Sequence, residues 1–241
     1  MNEKKIIIVG GSGTIGSSIA REVKKEGYQP HLIGRNITSL KSVSEELNCS
    51  FDTLDILDTK KLKECLSSYE DNIFGLAYCV GSISLKSLSS ASELDYIESF
   101  KINTLGAIIS IQSLKDKLKK NTGSILLFST IAVQQGFVNH SIVSTSKGAI
   151  EGLTLSLAAE LSPHIKVNCI APGLTNSNMS QKLLSNETIK KAIENMNPLP
   201  KIGEGEDYGK ISAFLLSKHN QWITGQVIHI DGGRSTIRKK G

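Results

Sequence analysis

Three short stretches hold the residues that could do chemistry. H-S-I-V-S-T-S-K-G-A-I, residues 140–150, opens a helix and sets one cation, Lys147, in a small and apolar run. One turn before it stands Val143, so the i−4 position on that helix face offers no reactive group. I-I-I-V-G-G-S-G-T-I-G, residues 6–16, packs glycines between a strand-like run and a helix-like one. Such a turn lets backbone N–H groups approach a pyrophosphate at the positive end of a helix, here through Gly10, Ser12, Gly13, Thr14, Ile15 and Gly16. H-L-I-G-R-N puts Gly34 and Arg35 at the end of a second strand-like run. An acid there would hold the ribose 2′-hydroxyl of NAD. A small residue followed by a guanidinium leaves room for a 2′-phosphate and supplies a fork for it, so NADP(H) is expected over NAD(H).

The elements that must position these residues follow from hydrophobic patterning. Short β-branched runs are expected as strands at 6–9, 31–33, 51–54, 74–79, 124–128, 166–170 and 227–230. Amphipathic stretches are expected as helices at 14–26, 37–47, 59–69, 92–118, 141–161 and 206–217. The 92–118 stretch reads as one long helix. Strand–helix alternation implies parallel pairing, because parallel strands need crossover connections. The strands are nearly continuous apolar runs, as expected when helices cover both faces. The fold class is therefore α/β: a single Rossmann-like, doubly wound parallel sheet of about seven strands, one domain over 1–241. Residues 174–200 are polar and read as a mobile substrate loop with short helices.

Composition narrows the function classes. The chain has 241 residues, 21% charged and 39% hydrophobic, which suits one globular domain with a full core. Net charge is +5, spread along the chain with a peak at Arg238, Lys239 and Lys240. No basic patch is interleaved with aromatics, so nucleic acid is not an expected partner. No apolar run approaches membrane-spanning length, and the start is too short in apolar residues for a signal peptide. Cys49, Cys65, Cys79 and Cys169 form no C-x-x-C pair and read as reduced thiols of a cytoplasmic protein. The five histidines lack metal-ligand spacing, so no metal is expected.

Taken together, these segments resemble the short-chain dehydrogenase/reductase family over nearly the whole chain. The most specific matches are V-N-C-I-A-P-G-L at 167–174 and I-T-G-Q-V-I-H-I-D-G-G at 223–233. Asp55 in L-D-I-L-D, with Ile56 beside it, resembles the family's adenine-contacting segment. I-N-T-L-G at 102–106 resembles its N-x-x-G, and K-G-A-I at 147–150 its catalytic lysine pattern. The resemblance implies that Lys147 hydrogen-bonds a nicotinamide ribose and that Asn103 holds a water continuing a proton path from it. It implies a carbonyl-polarising hydroxyl thirteen residues before the catalytic tyrosine position, which is Thr130, with Ser129 next to it. It also implies cofactor contacts from Gly81, Pro172, Gly173, Thr175 and Ser177, a small-molecule substrate, and a homodimer or homotetramer.

The sequence departs from the family pattern in three places. Thr14 falls where the family has a glycine. Y-C-V-G replaces N-N-A-G, so only Gly81 matches. V-S-T-S-K replaces Y-x-x-x-K, leaving Val143 in the tyrosine position. A tyrosine and lysine at i and i+4 let the ammonium stabilise a phenolate, and valine has no proton to give. His140, seven residues before Lys147, is the nearest titratable substitute, with Tyr78 and Tyr96 behind it. The expectation is an NADP(H)-dependent reductase of a carbonyl or enoyl group with an altered proton donor. The alternatives are a cofactor-binding homologue without turnover and a nicotinamide-assisted isomerase or lyase.

Overall fold

Ile6, Ile7, Ile8 and Val9 of strand β1 (Lys5–Val9) are all fully buried. Successive side chains of a strand point to opposite faces, so this requires cover on both sides. The computed structural model, which describes residues 3–238 except for the Lys182 side chain, shows that cover as two cores. Ile7 and Val9 pack with Leu62, Leu66, Leu114 and Leu118. Ile6 and Ile8 pack with Ile19, Val23, Leu40 and Leu216.

The chain runs β1, α1 (Thr14–Lys25), β2 (Gln29–Gly34), α2 (Ile37–Leu47), β3 (Ser50–Thr53), α3 (Thr59–Ser68) and β4 (Ile73–Tyr78). It continues through α4 (Glu93–Phe100), α5 (Gly106–Lys120), β5 (Ser124–Phe128), α6 (Ser141–Leu161) and β6 (Lys166–Pro172). Helices α7 (Gln181–Leu184), α8 (Glu187–Met196) and α9 (Gly205–Leu216) precede β7 (Val227–Ile230). The seven strands are all parallel, in the order β3-β2-β1-β4-β5-β6-β7. Strand order reverses between β1 and β4, the place where open α/β sheets hold ligands in a crevice at the carboxyl ends of the strands. The expected fold class is borne out. The polar 174–200 stretch does carry two short helices, α7 and α8.

The single helix expected over 92–118 is interrupted. A π-helical turn, Lys101–Leu105, separates α4 from α5. Its cause lies underneath. The Tyr78 hydroxyl donates to the Ile102 carbonyl at 2.7 Å, and Gly106 lies directly on that hydroxyl. A carbonyl taken out of the ordinary ladder is what a one-turn π insertion accommodates. Asn103 lies in this turn, fully buried.

No helix among the described residues is long and apolar enough to cross a membrane. The four cysteines are free. No group of three or more metal-ligating side chains occurs among the described residues. Of the expected basic tail, Lys239 and Lys240 lie outside the described residues.

Candidate active site

The glycine-rich turn joins β1 to α1 through backbone geometry. Gly10 adopts φ +85°, which L side chains rarely take, and its N–H donates to the Ile33 carbonyl at 2.7 Å. A methyl group on Gly16 would overlap the Gly10 carbonyl. The turn is thus closed to side chains on its inner side. Gly13 precedes α1 and has no side chain to cap it, so the first N–H groups of the helix, from Thr14, Ile15 and Gly16, face outward. Ser12 stands close by, its Oγ 3.5 Å from where a Cβ on Gly34 would lie. These positions fit a pyrophosphate cradle.

The adenosine end is more open. Arg35 is 73% exposed at its side chain, with Nη1 3.9 Å from Asp55 Oδ2. Asp55 also accepts the Leu57 N–H at 3.0 Å, which fixes its carboxylate just beyond the end of β3. Ile56 buries its side chain in the core beside Tyr78, so only its backbone is free to meet a ligand.

The second half of the site forms where α6 meets the π turn. Lys147 is buried, and its Nζ donates to the Phe128 carbonyl at 2.8 Å. Gly81 lies against it: a Cβ there would be 3.1 Å from Asn103 Oδ1 and 3.4 Å from Lys147 Nζ. Asn103 Oδ1 accepts the Ser82 N–H at 3.1 Å, and Nδ2 donates to Ser99 Oγ at 3.1 Å. Ser99 Oγ in turn meets Ser146 Oγ at 2.9 Å. The chain therefore brings Lys147, Asn103 and Gly81 together as the family pattern implied. It adds a hydroxyl network through Ser82, Ser99 and Ser146 that small residues in a helical pattern gave no reason to single out.

Burial pulls the Lys147 pKa down to about 8. The thiols of Cys79 and Cys169 would oppose that shift if ionised, but burial pushes both up to about 12, so they are neutral. Lys147 thus carries its charge at neutral pH with no carboxylate paired to it. Glu151, the nearest acid on the same helix, is instead bound by the Ser129 hydroxyl at 2.6 Å. That bond commits Ser129. Its neighbour Thr130 accepts the Ala132 N–H at 3.3 Å and so keeps its hydroxyl proton for another acceptor.

Among the described residues, no tyrosine or histidine hydrogen-bonds Lys147, whose Nζ is held by the Phe128 carbonyl. Val143 is 3% exposed, one turn away on the same face. His140 stands just before α6, its Nδ1 2.7 Å from the Val138 carbonyl and its ring 5.3 Å from that of Phe137. Two helical turns separate it from Lys147, about 10 Å along the axis. Tyr78 is consumed by the Ile102 carbonyl, and burial raises its pKa further. Tyr96 meets Ser141 Oγ at 2.9 Å, at the start of α6.

Beyond β6, the Gly173 N–H donates to the Ile230 carbonyl at 2.9 Å, which holds Pro172 and Gly173 at the sheet end. The Thr175 hydroxyl donates to the Gly173 carbonyl at 3.1 Å and lies 2.7 Å from the Tyr208 hydroxyl. Buried between these partners, it props the loop onto α9. Ser177 is half-buried, its Oγ 3.2 Å from Ser180 Oγ.

A parallel sheet with a glycine cradle at its switch point and a buried lysine across the crevice defines a nucleotide-binding α/β domain of the dehydrogenase type. The chain belongs to the short-chain dehydrogenase/reductase family, matching the enoyl-(acyl carrier protein) reductase model over residues 10–235. It is 32% identical over 235 residues to the 3-oxoacyl-[acyl-carrier-protein] reductase FabG of Rickettsia prowazekii, covering 95% of this chain and 96% of that one. The solved structure of ElxO with NADP bound is similar at 27% identity, with a TM-score of 0.88 over 96% of this chain and 98% of that one. An actinorhodin polyketide ketoreductase variant with NADPH shares the fold at 20% identity, with a TM-score of 0.91 and 98% of each chain covered.

Proposed function

We propose that this chain is an NADP(H)-dependent reductase of a carbonyl or enoyl group, with a 3-oxoacyl compound as the first substrate to test. One observation carries the reading. A buried, carboxylate-free lysine lies against Gly81 and Asn103, and the glycine turn after β1 leaves no room for a Cβ at Gly16. The names of its relatives, several of them 3-oxoacyl reductases, support the substrate class.

The cofactor, when bound, supplies the hydride; the rest is the work of the chain. Gly10, Ser12, Gly13, Thr14, Ile15 and Gly16 would hold the pyrophosphate. Arg35 would take the 2′-phosphate and Asp55 the adenine, while Gly81, Pro172, Gly173 and Ser177 would line the nicotinamide end. Thr130 donates its free hydroxyl proton to the substrate oxygen as charge develops there. Lys147, held by Phe128, orients a ribose hydroxyl. With a pKa near 8 it would also be acid enough to return a proton to an alkoxide. Asn103 fixes Ser82 and Ser99 beside it as a route for the proton's replacement. His140, at the mouth, is the competing donor.

Steady-state oxidation of NADPH with acetoacetyl thioesters tests this. Turnover that His140→Ala preserves and Lys147→Met abolishes supports Lys147 as donor; loss in His140→Ala at unchanged cofactor affinity moves the role to His140. Tight NADPH binding with no turnover on ketones, enones or enoyl thioesters would leave a cofactor-binding module in its place.

The 174–200 segment would act as the substrate lid, and the free thiols fit a cytoplasmic setting. Association into a homodimer or homotetramer is supported by Leu94, Ile97 and Phe100 of α4 and Leu155 of α6, all exposed. A mass measurement in solution checks it.

A further inference from the structure

Arg234 follows β7 in a G-G-R turn and reaches the end of α8 and the loop after β5. The turn is locked on two sides. Gly173 packs on Asp231 so closely that a Cβ added to the glycine would lie 3.0 Å from the Asp231 Cα, and the Leu199 N–H donates to the Gly232 carbonyl at 2.9 Å. The Asp231 carboxylate accepts the Gly233 and Ser235 N–H groups at 2.9 and 2.8 Å, which fixes the backbone around Arg234. From there the guanidinium bridges α8 and the loop that follows β5. Nη1 donates to the Met196 carbonyl at 3.4 Å, at the end of α8, and the group lies 6.0 Å from the Phe137 ring centroid. Phe137 belongs to the loop that begins at Thr130 and ends at His140.

These partners are poor for a guanidinium. A carbonyl at long distance, the Met196 thioether at 3.7 Å and a ring face leave most of its five donors unused. No carboxylate of the described residues lies within ion-pair range of it, whereas Lys86, Lys201 and Arg21 each hold one. A positioned, half-exposed and unpaired fork beside the entrance to a catalytic crevice is the arrangement that recognises an oxyanion.

We infer that Arg234 is a substrate-binding residue that anchors an anionic group, a carboxylate or a phosphate, carried by the substrate beyond its reacting carbon. This rests on the reductase reading for where the reacting carbon sits. It adds that the preferred substrate is charged at its far end: a free 3-oxo acid or a phosphate-bearing thioester.

The test uses the full chain and two matched pairs: acetoacetate against its methyl ester, and acetoacetyl pantetheine against its phosphorylated form. Binding is measured by calorimetry with and without NADPH, and NADPH turnover is followed in parallel. The wild type is expected to bind the anionic member of one pair about 10-fold or more tightly, one charge-assisted anchor's worth. In Arg234→Gln that ratio should fall to about one, with the loss in turnover falling on KM, while Arg234→Lys should retain part of it. The pair with the larger ratio identifies whether carboxylate or phosphate is the anchor's ligand. A ratio near one in the wild type, or one unchanged in Arg234→Gln, overturns the assignment. Arg234-dependent binding without turnover would count against the reductase reading alone; turnover indifferent to Arg234 would count against the anchor alone.

Discussion

At the end of β1 the site is made of backbone, and at the start of α6 it is made of side chains. The glycine turn works because nothing can be added to it: Gly10 needs a left-handed φ, and Gly16 lies on the Gly10 carbonyl. In the proposed reading the substrate end depends on side chains, namely Lys147, Asn103 and the Thr130 hydroxyl, with Val143 one turn before the lysine. A backbone site tolerates drift in surrounding side chains while keeping its ligand. A side-chain site changes chemistry with one substitution. In the proposed reading the first half decides what is bound and the second what is done with it.

Breaking either half should separate them. The largest effect is expected from Lys147→Met, which should lower turnover by about 100-fold or more, within the range for loss of a proton-transfer group. The same variant should stabilise the apoprotein, because it removes a buried unpaired charge; each kcal/mol gained raises Tm by about 2–4 °C at this chain length. The pH dependence has a definite sign. The Lys147 pKa is about 8 when folded, below the usual lysine value of the unfolded chain, so between those pH values the unfolded state holds more protons. Its contribution to stability therefore rises with pH across that window, and the rise should vanish in the variant in urea melts run from about pH 7 to about pH 10. Cofactor affinity should run the other way, weakening as the ammonium is lost above about 8.

Gly16→Ala should come next. Its methyl would meet the Gly10 carbonyl, so overpacking of about 1–3 kcal/mol is expected together with loss of NADPH binding, read by thermal melting and fluorescence titration. Val143→Tyr sharpens the comparison from the other side. It should raise turnover on simple ketones by about 10²-fold, the lower range for general acid catalysis, with cofactor affinity unchanged. Arg35→Asp is the smallest: it should cut the preference for NADPH over NADH by about 10-fold, one lost charge-assisted contact.

The same contrast explains what could be read from sequence. The glycine turn and the strand runs were legible because backbone requirements restrict residue type at fixed spacing. Lys147 and Asn103 were legible through family pattern, and the fold brings them together. The π turn at Asn103 was not, since it depends on the Tyr78 hydroxyl reaching the Ile102 carbonyl across 24 residues. Nor could spacing tell Ser129 from Thr130: the hydroxyl bound to Glu151 and the one left free differ only in three dimensions. Thr175 matched as a cofactor contact, yet its hydroxyl is held by Tyr208, a residue 33 positions away.

The site around Lys147 is expected to reduce a substrate although Val143 cannot give a proton. Single-turnover oxidation of bound NADPH by an acetoacetyl thioester tests it most directly, in the wild type and in Lys147→Met. Measurable hydride loss is expected in the wild type, at least about 10²-fold faster than in the variant. Equal rates in the two proteins, or no oxidation in either with the cofactor fully bound, would contradict it.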